Sequence, residues 1–207
     1  KTTLTTGLVA YYPFNGNAND ESGNGNDGTV NGATLVEDRN GDSGKAYSFD
    51  GSATINLGSK NIINDFNAIT ITAWIKAPKQ GPIISRGAHN KNHVGHFLLE
   101  YKGWWQALTT GAGFDIATSP QGFDEKWTSI VANYDGRQAA YYINGNLVYK
   151  KGDDTDGNKG TIKYNSDLDI VIGYTLDSGQ HLEGELDDVR IYNRALSVDE
   201  VASLYEL

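Results

Sequence analysis

The 207-residue chain contains no cysteine, no methionine and only four prolines. Without cysteine there is no disulfide framework, no thiolate metal site and no cysteine nucleophile. Long apolar runs are missing as well. The apolar runs are only a few residues, as in Ile83-Ile84 and Ile170-Val171-Ile172, far below the roughly 20 residues that span a bilayer. No signal-peptide pattern opens the chain. The lack of methionine even at position 1 is read as the mark of a module cut from a longer protein. Basic charge is scarce: the net charge of -9 argues against nucleic acid or an anionic membrane as partner. There is no G-x-S-x-G, so serine chemistry has no nucleophile elbow.

What is present points to strands. Hydrophobic residues make up 38% and aromatics 11%, enough for a packed core. Twenty-five glycines, with scattered Asn and Asp, separate short segments rich in Val, Ile, Thr, Tyr and Trp. In "AITITAWIKA" Ile69, Ile71, Ala73 and Ile75 share one face, with Thr70, Thr72, Trp74 and Lys76 on the other. Asn144-Gly145 in "AAYYINGNLVYK" fits a type I′ hairpin turn. Helix signals are weak until Ser197 and Glu200, whose spacing fits a capping box opening "SVDEVASLYEL". No linker divides the chain. The expectation is a single domain over 1–207: an all-β jelly-roll β-sandwich of two antiparallel sheets with a short C-terminal helix.

The stretch "NANDESGNGNDGTVNG", residues 17–32, holds five Asn, two Asp and four Gly. Asp20, Ser22 and Asn24 alternate and Gly25 follows, which is how a calcium loop begins. The helix-loop-helix version needs Glu at the twelfth place, where Asn31 stands, so a distant carboxylate would have to complete the shell. The alternative is a turn-rich surface loop. In "KKGDDTDGNKG", Asp154 and Asp156 precede Gly157, but Gly152 and Lys163 occupy ligand places, and this stretch reads as a solvated turn.

"GLVAYYPFNGNANDESGNGNDGTVNG" (7–32) together with "GELDDVRIYNRALSVDEV" (184–201) resembles the laminin G-like members of the concanavalin A-like lectin/glucanase jelly rolls. "KAYSFDG", "ITITAWIK", "PIISRG", "KWTSIVANYDG", "YYINGNLV" and "DLDIVIGY" follow in the order such domains show, so the resemblance covers essentially the whole chain. It implies termini that run side by side in one sheet. It also implies a structural Ca2+ held by Asp20, the Ser22 backbone, Asn24 and Asp187, with Asp188 on the opposite face pairing with Arg190. Relatives of this fold also hydrolyse glucans through Glu-x-Asp-x-Glu or a one-residue-longer variant. "EGELD" offers Glu183, Glu185 and Asp187 instead, an imperfect match, and the expectation is no catalysis.

His89, His93 and His96 lie near Arg86, Lys91 and Lys102 in a Gly- and Asn-rich stretch. That is read as a zinc site, as a basic loop suited to an acidic or sulfated sugar, or as a solvated hairpin. Sugar sites combine aromatic platforms with polar groups. "LLEYKGWWQAL" looks like a hairpin around Gly103, and Trp74 and Trp127 are expected in the core. In similar domains the loop after "PIISRG" and the loop "GYTLDSGQHLEG" border the ligand face. The carbohydrate-binding candidates are therefore Arg86, His89, Tyr101, Trp104, Tyr174, Asp177 and His181. The expected function is non-catalytic binding of a polysaccharide or oligosaccharide, by a module joined to other domains of a secreted or cell-surface enzyme or adhesin. Alternatives are an adhesion or protein-interaction module and a glycoside hydrolase or polysaccharide lyase. No nucleic acid and no membrane insertion are expected.

Overall fold

A computed structural model describes residues 3–59, 62–63, 65–87, 97–101, 104–107, 114–117, 125–151, 161–162 and 167–207, with 104–107 and 114–117 as backbone only. In chain order the strands are β1 (Leu8–Tyr12), β2 (Thr29–Asn31), β3 (Thr34–Val36), β4 (Ala46–Asp50), β5 (Thr54–Gly58), β6 (Ile69–Lys76), β7 (Gly81–Arg86) and β8 (Phe97–Tyr101). They continue as β9 (Trp104–Ala107), β10 (Phe114–Ala117), β11 (Thr128–Tyr134), β12 (Ala139–Ile143), β13 (Asn146–Lys151), β14 (Ile170–Ile172) and β15 (Glu183–Tyr192), before helix α1 (Val198–Tyr205).

The strands form two antiparallel sheets. The eight-stranded sheet runs β13-β12-β11-β6-β15-β4-β3, with β1 also on β15, and the seven-stranded sheet runs β10-β9-β8-β7-β14-β5-β2. The core lies between them. Ile69, Ile71, Ala73 and Ile75 from β6 meet Ile83 and Ile84 from β7 and Ile170 and Ile172 from β14 in one buried cluster. The inward face of β6 is the one its alternation predicts.

The last strand organises the first sheet. Along one edge β15 pairs with β4 over Glu183–Leu186 and then with β1 over Val189–Tyr192, so the beginning and end of the chain do lie side by side. At the change of partner the register against β6 shifts between Asp187 and Arg190, and Asp188 takes a left-handed φ of 51°. This bulge sets where two carboxylates point.

Helix α1 covers part of the outer face of the eight-stranded sheet, packing Val201 and Leu204 against Val131, Tyr142 and Tyr192. Its capping box is formed: Glu200 N–H donates to the Ser197 hydroxyl at 3.2 Å and Ser197 N–H donates to the Glu200 carboxylate at 2.9 Å. Arg194 grips the same carboxylate through two 2.8 Å bonds, and these chiefly hold Glu200, against a smaller effect of burial, down at about 2. Trp74 departs from expectation. It stands on this outer face, stacked on Tyr205 at 5.7 Å with the Arg39 guanidinium 4.8 Å from its ring centre, because its alternation places it opposite Ile75. Trp127 is half-buried and precedes β11 rather than lying inside it.

The Asn144-Gly145 turn takes φ values of 48° and 76°, as a type I′ turn requires. It delivers β13, a wholly exposed edge strand whose register slips between Tyr149 and Leu147. That bulge, with Lys150 and Lys151, discourages edge-to-edge pairing. No described helix is long and apolar enough to cross a membrane.

Candidate functional site

The Asx-rich loop has a structural use that follows from the sheet. Strand β1 pairs on one side only, with β15, and its register slips between Leu8 and Ala10. Its other edge therefore carries backbone groups that need partners. The loop supplies them. Asp20 Oδ1 accepts from Tyr11 N–H at 2.9 Å, and Glu21 N–H donates to the Tyr11 carbonyl at 2.8 Å. The Val9 carbonyl, at the slip, accepts from the Ser22 hydroxyl (3.1 Å) and from the Asn24 and Asn26 amides (3.0 Å each). Asp20 also accepts from Ser22 N–H (2.9 Å) and Asn26 N–H (3.0 Å), which closes the loop on itself. Burial pushes the Asp20 carboxyl up, but these hydrogen bonds outweigh it and hold it below the usual carboxylate range.

Asp187 is engaged elsewhere. Arg39, from the connection between β3 and β4, places Nη1 at 2.6 Å from Asp187 Oδ2 and 2.7 Å from Asp188 Oδ2. Asp188 does not point away from Asp187 as a regular strand would have it, because the bulge turns both carboxylates onto one guanidinium. Its expected partner Arg190 is present, at 3.1 Å, and the Tyr11 hydroxyl donates to the same oxygen at 2.7 Å. Burial first, and then the neighbouring Asp188, push the Asp187 carboxyl up to about 7 against the pull of Arg39.

Of the calcium set expected from sequence, the described contacts engage the carboxylates of Asp20 and Asp187. Asp20, Ser22 and Asn24 do gather, but their polar atoms hold β1 and each other, and Asp187 is bound by Arg39. Among the described residues, no three His, Asp or Glu side chains could hold a metal together. No step below passes through a metal. The carboxylate trio of β15 is also paired off, Glu183 with Lys79 at 2.7 Å and Glu185 with Lys76 at 3.1 Å.

A cleft of about 260 Å³ opens on the outer face of the seven-stranded sheet. Its floor follows from register. Val171 pairs with Ser85 on one side and Asn56 on the other, and all three face away from the core that holds Ile55, Ile84, Ile170 and Ile172. The rim carries Tyr174, Leu176, Asp167 and Asp169. Tyr174 is held from two sides: the Ser85 hydroxyl donates to its carbonyl at 2.7 Å, and the His181 ring lies 4.8 Å from its ring. The loop that presents it is closed by Thr175 N–H to the Gln180 carbonyl (3.0 Å) and Leu182 N–H to the Gly173 carbonyl (2.9 Å). Gly173 is required there, with φ 82° and Phe49 within 2.6 Å of where a Cβ would stand. Asn56 donates to Asp169 Oδ2 at 2.8 Å, fixing that carboxylate at the rim.

The predicted sugar-binding residues divide. Tyr174 lines the cleft and His181 supports it from behind. Asp177 is half-buried in the same loop, its N–H donating to the Thr175 hydroxyl at 3.2 Å, and does not line the cleft. Arg86 and Tyr101 are corrections: each is only 1% exposed. Arg86 turns inward, donating to the Ile63 carbonyl at 3.3 Å with its guanidinium 5.5 Å from the Phe97 ring centre. Tyr101 ends β8 inside the core, and alternation on a strand buried on both faces gave no warning of it. His89 lies outside the described residues, as do His93, His96 and the 152–160 loop, and Trp104 is placed only as the first residue of β9. Strands β8 and β9 pair antiparallel, with Leu98 opposite Gln106 and Leu99 opposite Trp105, while Gly103 between them lies outside the described residues. Sequence reasoning missed Ser85, Asp167 and Asp169. The signal was an alternate-residue Asp pair, D-L-D, running straight into a strand.

Residues 49–202 match the Laminin_G_3 model, described as the concanavalin A-like lectin/glucanases superfamily, and the chain belongs to that family. No curated protein sequence matches it. Among solved structures it is similar to domain 4 of AbnA, a GH43 extracellular arabinanase from Geobacillus stearothermophilus, in complex with arabinotriose. That likeness is at 22% identity and a TM-score of 0.69, over 96% of this chain and 98% of that one. It is also similar to the binding domain of Paraclostridial Mosquitocidal Protein 1 (21% identity, TM-score 0.74), over 98% of this chain and 52% of that one. The botulinum neurotoxin serotype G binding domain is a further likeness (21% identity, TM-score 0.68), over 96% of this chain and 50% of that one. The chain thus spans about half the length of these toxin binding domains. At these identities the likeness shows the fold, a jelly-roll sandwich that hosts binding domains.

Proposed function

We propose that the protein is a non-catalytic carbohydrate-binding module that takes an oligosaccharide or a polysaccharide segment in the cleft on its seven-stranded sheet, outside the cell and as part of a larger protein. The observation that carries this reading is the immobilised Tyr174 at the rim of a cleft that Val171, Leu176, Asp167 and Asp169 also line. A sugar ring offers apolar C–H faces and a girdle of hydroxyls. A fixed aromatic and two aliphatic side chains suit the first, and carboxylates suit the second. A platform already held in place loses little entropy on binding. The solved relative with arabinotriose supports the reading by analogy of fold.

The test is affinity electrophoresis and calorimetry against a broad panel of soluble polysaccharides. Wild type is retarded by at least one of them, and Tyr174→Ala loses that retardation while keeping its melting temperature. Failure to bind any glycan removes the reading. One observation favours a second one, a protein-interaction module: Leu147, Val148 and Tyr149 on β13 are 52%, 52% and 45% exposed.

A further inference from the structure

We infer that the cleft selects neutral, polyhydroxylated sugars and excludes uronic and sulfated ones, and that Asp167 and Asp169 are the residues that set this choice. The inference rests on the carbohydrate reading above and deepens it.

Both acidic side chains of the described rim are carboxylates on the same stretch, two residues apart at the entry to β14. Ionised carboxylates only accept hydrogen bonds, and sugar hydroxyls donate them. Asp169 is oriented for this, because the Asn56 amide holds one of its oxygens at 2.8 Å. Among the described residues no cationic side chain lines the cleft. Arg86 stands between two lining residues, Ser85 and Gly87, yet its guanidinium is turned to the Ile63 carbonyl and the Phe97 ring. An anionic sugar seated against Val171 and Tyr174 would bring its carboxylate or sulfate beside two like charges, on a protein whose net charge is already -9. The inference runs opposite to one reading of the basic stretch after Arg86, the acidic or sulfated sugar, and that stretch lies outside the described residues.

The experiment compares matched ligands. A panel of neutral polymers (arabinan, xylan, galactan, mixed-linkage glucan) is run beside polygalacturonate and carrageenan. The neutral polymer that binds is then retested as its own partly carboxymethylated derivative. Wild type is expected to bind the derivative at least about ten-fold more weakly at low salt, with the gap narrowing several-fold at about 0.5 M NaCl, where repulsion is screened. In the isosteric double variant Asp167→Asn/Asp169→Asn the gap narrows at low salt too. Glu37→Gln/Asp42→Asn, an equal change of two charges far from the cleft in the β3–β4 connection, leaves it unchanged. Tight binding of an acidic polymer that weakens with salt overturns the inference and leaves the carbohydrate reading standing. An unchanged gap in the double variant overturns the assignment to these two residues. No binding to any polymer defeats the inference and the reading together.

Discussion

The loop at 17–28 and the rim at 167–176 both carry oxygen-bearing side chains at alternate positions, and they use them in opposite ways. In the first, Asp20 accepts three backbone N–H groups and its neighbours donate to β1, so the polar chemistry closes on the protein itself. In the second, Asp169 keeps one anchor, from Asn56, and borders an open cleft. Density of oxygen atoms in a sequence is therefore a poor guide to a ligand site. The deciding question is whether the backbone nearby already has partners.

That contrast can be broken most forcefully at Asp20. Asp20→Ala strands three backbone donors, one at the edge of β1 and two within the loop, and should cost about 3 kcal/mol. For a chain of this size that lowers the melting temperature by roughly 6–12 °C. Glycan affinity of the folded protein should not change; a loss of affinity with intact melting would mean the loop, not the cleft, holds ligand. Next comes Tyr174→Ala, expected to weaken binding by about 2 kcal/mol, near thirty-fold, with melting within a degree or so of wild type. Equal affinity in the variant would take the platform role away from Tyr174.

Smaller effects follow from the two carboxylates flanking this comparison. The folded protein raises Asp187 from 3.8 to about 7, so the folded state binds that proton more tightly than the unfolded state does. Stability from this group is present below the ordinary carboxylate range and is lost as pH rises towards about 7. Glu200 behaves oppositely: lowered from 4.5 to about 2, it contributes above its ordinary range and the contribution fades on acidification. Denaturant titrations at pH 5 and pH 8 should show Asp187→Asn losing the first dependence, and titrations at pH 3 and pH 5 should show Glu200→Gln losing the second. A wild-type slope that persists in Asp187→Asn would assign it elsewhere. The smallest expected effect concerns calcium. Because Arg39 already bridges Asp187 and Asp188, EGTA and added calcium should leave the melting temperature within about a degree. A calcium-dependent rise would show that Arg39 gives way to the ion.

Much of the fold was legible because its signals are local. The alternation of β6, the Asn144-Gly145 turn and the Ser197–Glu200 capping box each depend on neighbours within a few residues, and each is present. The site was legible only in part. Of the residues named from the 173–184 loop, Tyr174 lines the cleft and His181 lies against the Tyr174 ring. Arg86 and Tyr101 were misplaced because both faces of their strands are buried. Asp188 was misplaced because a bulge breaks the two-residue period.

By itself the sequence determined the β-rich class, its turns and its capped helix, since hydrophobic period and turn chemistry act over short distances and specify which face is buried; the pairing of its ends was implied only by the family resemblance. Only the tertiary structure decided what the polar residues do. A carboxylate's role depends on which donor stands opposite it, and those donors come from far along the chain: Arg39 for Asp187, Asn56 for Asp169 and the bare edge of β1 for Asp20.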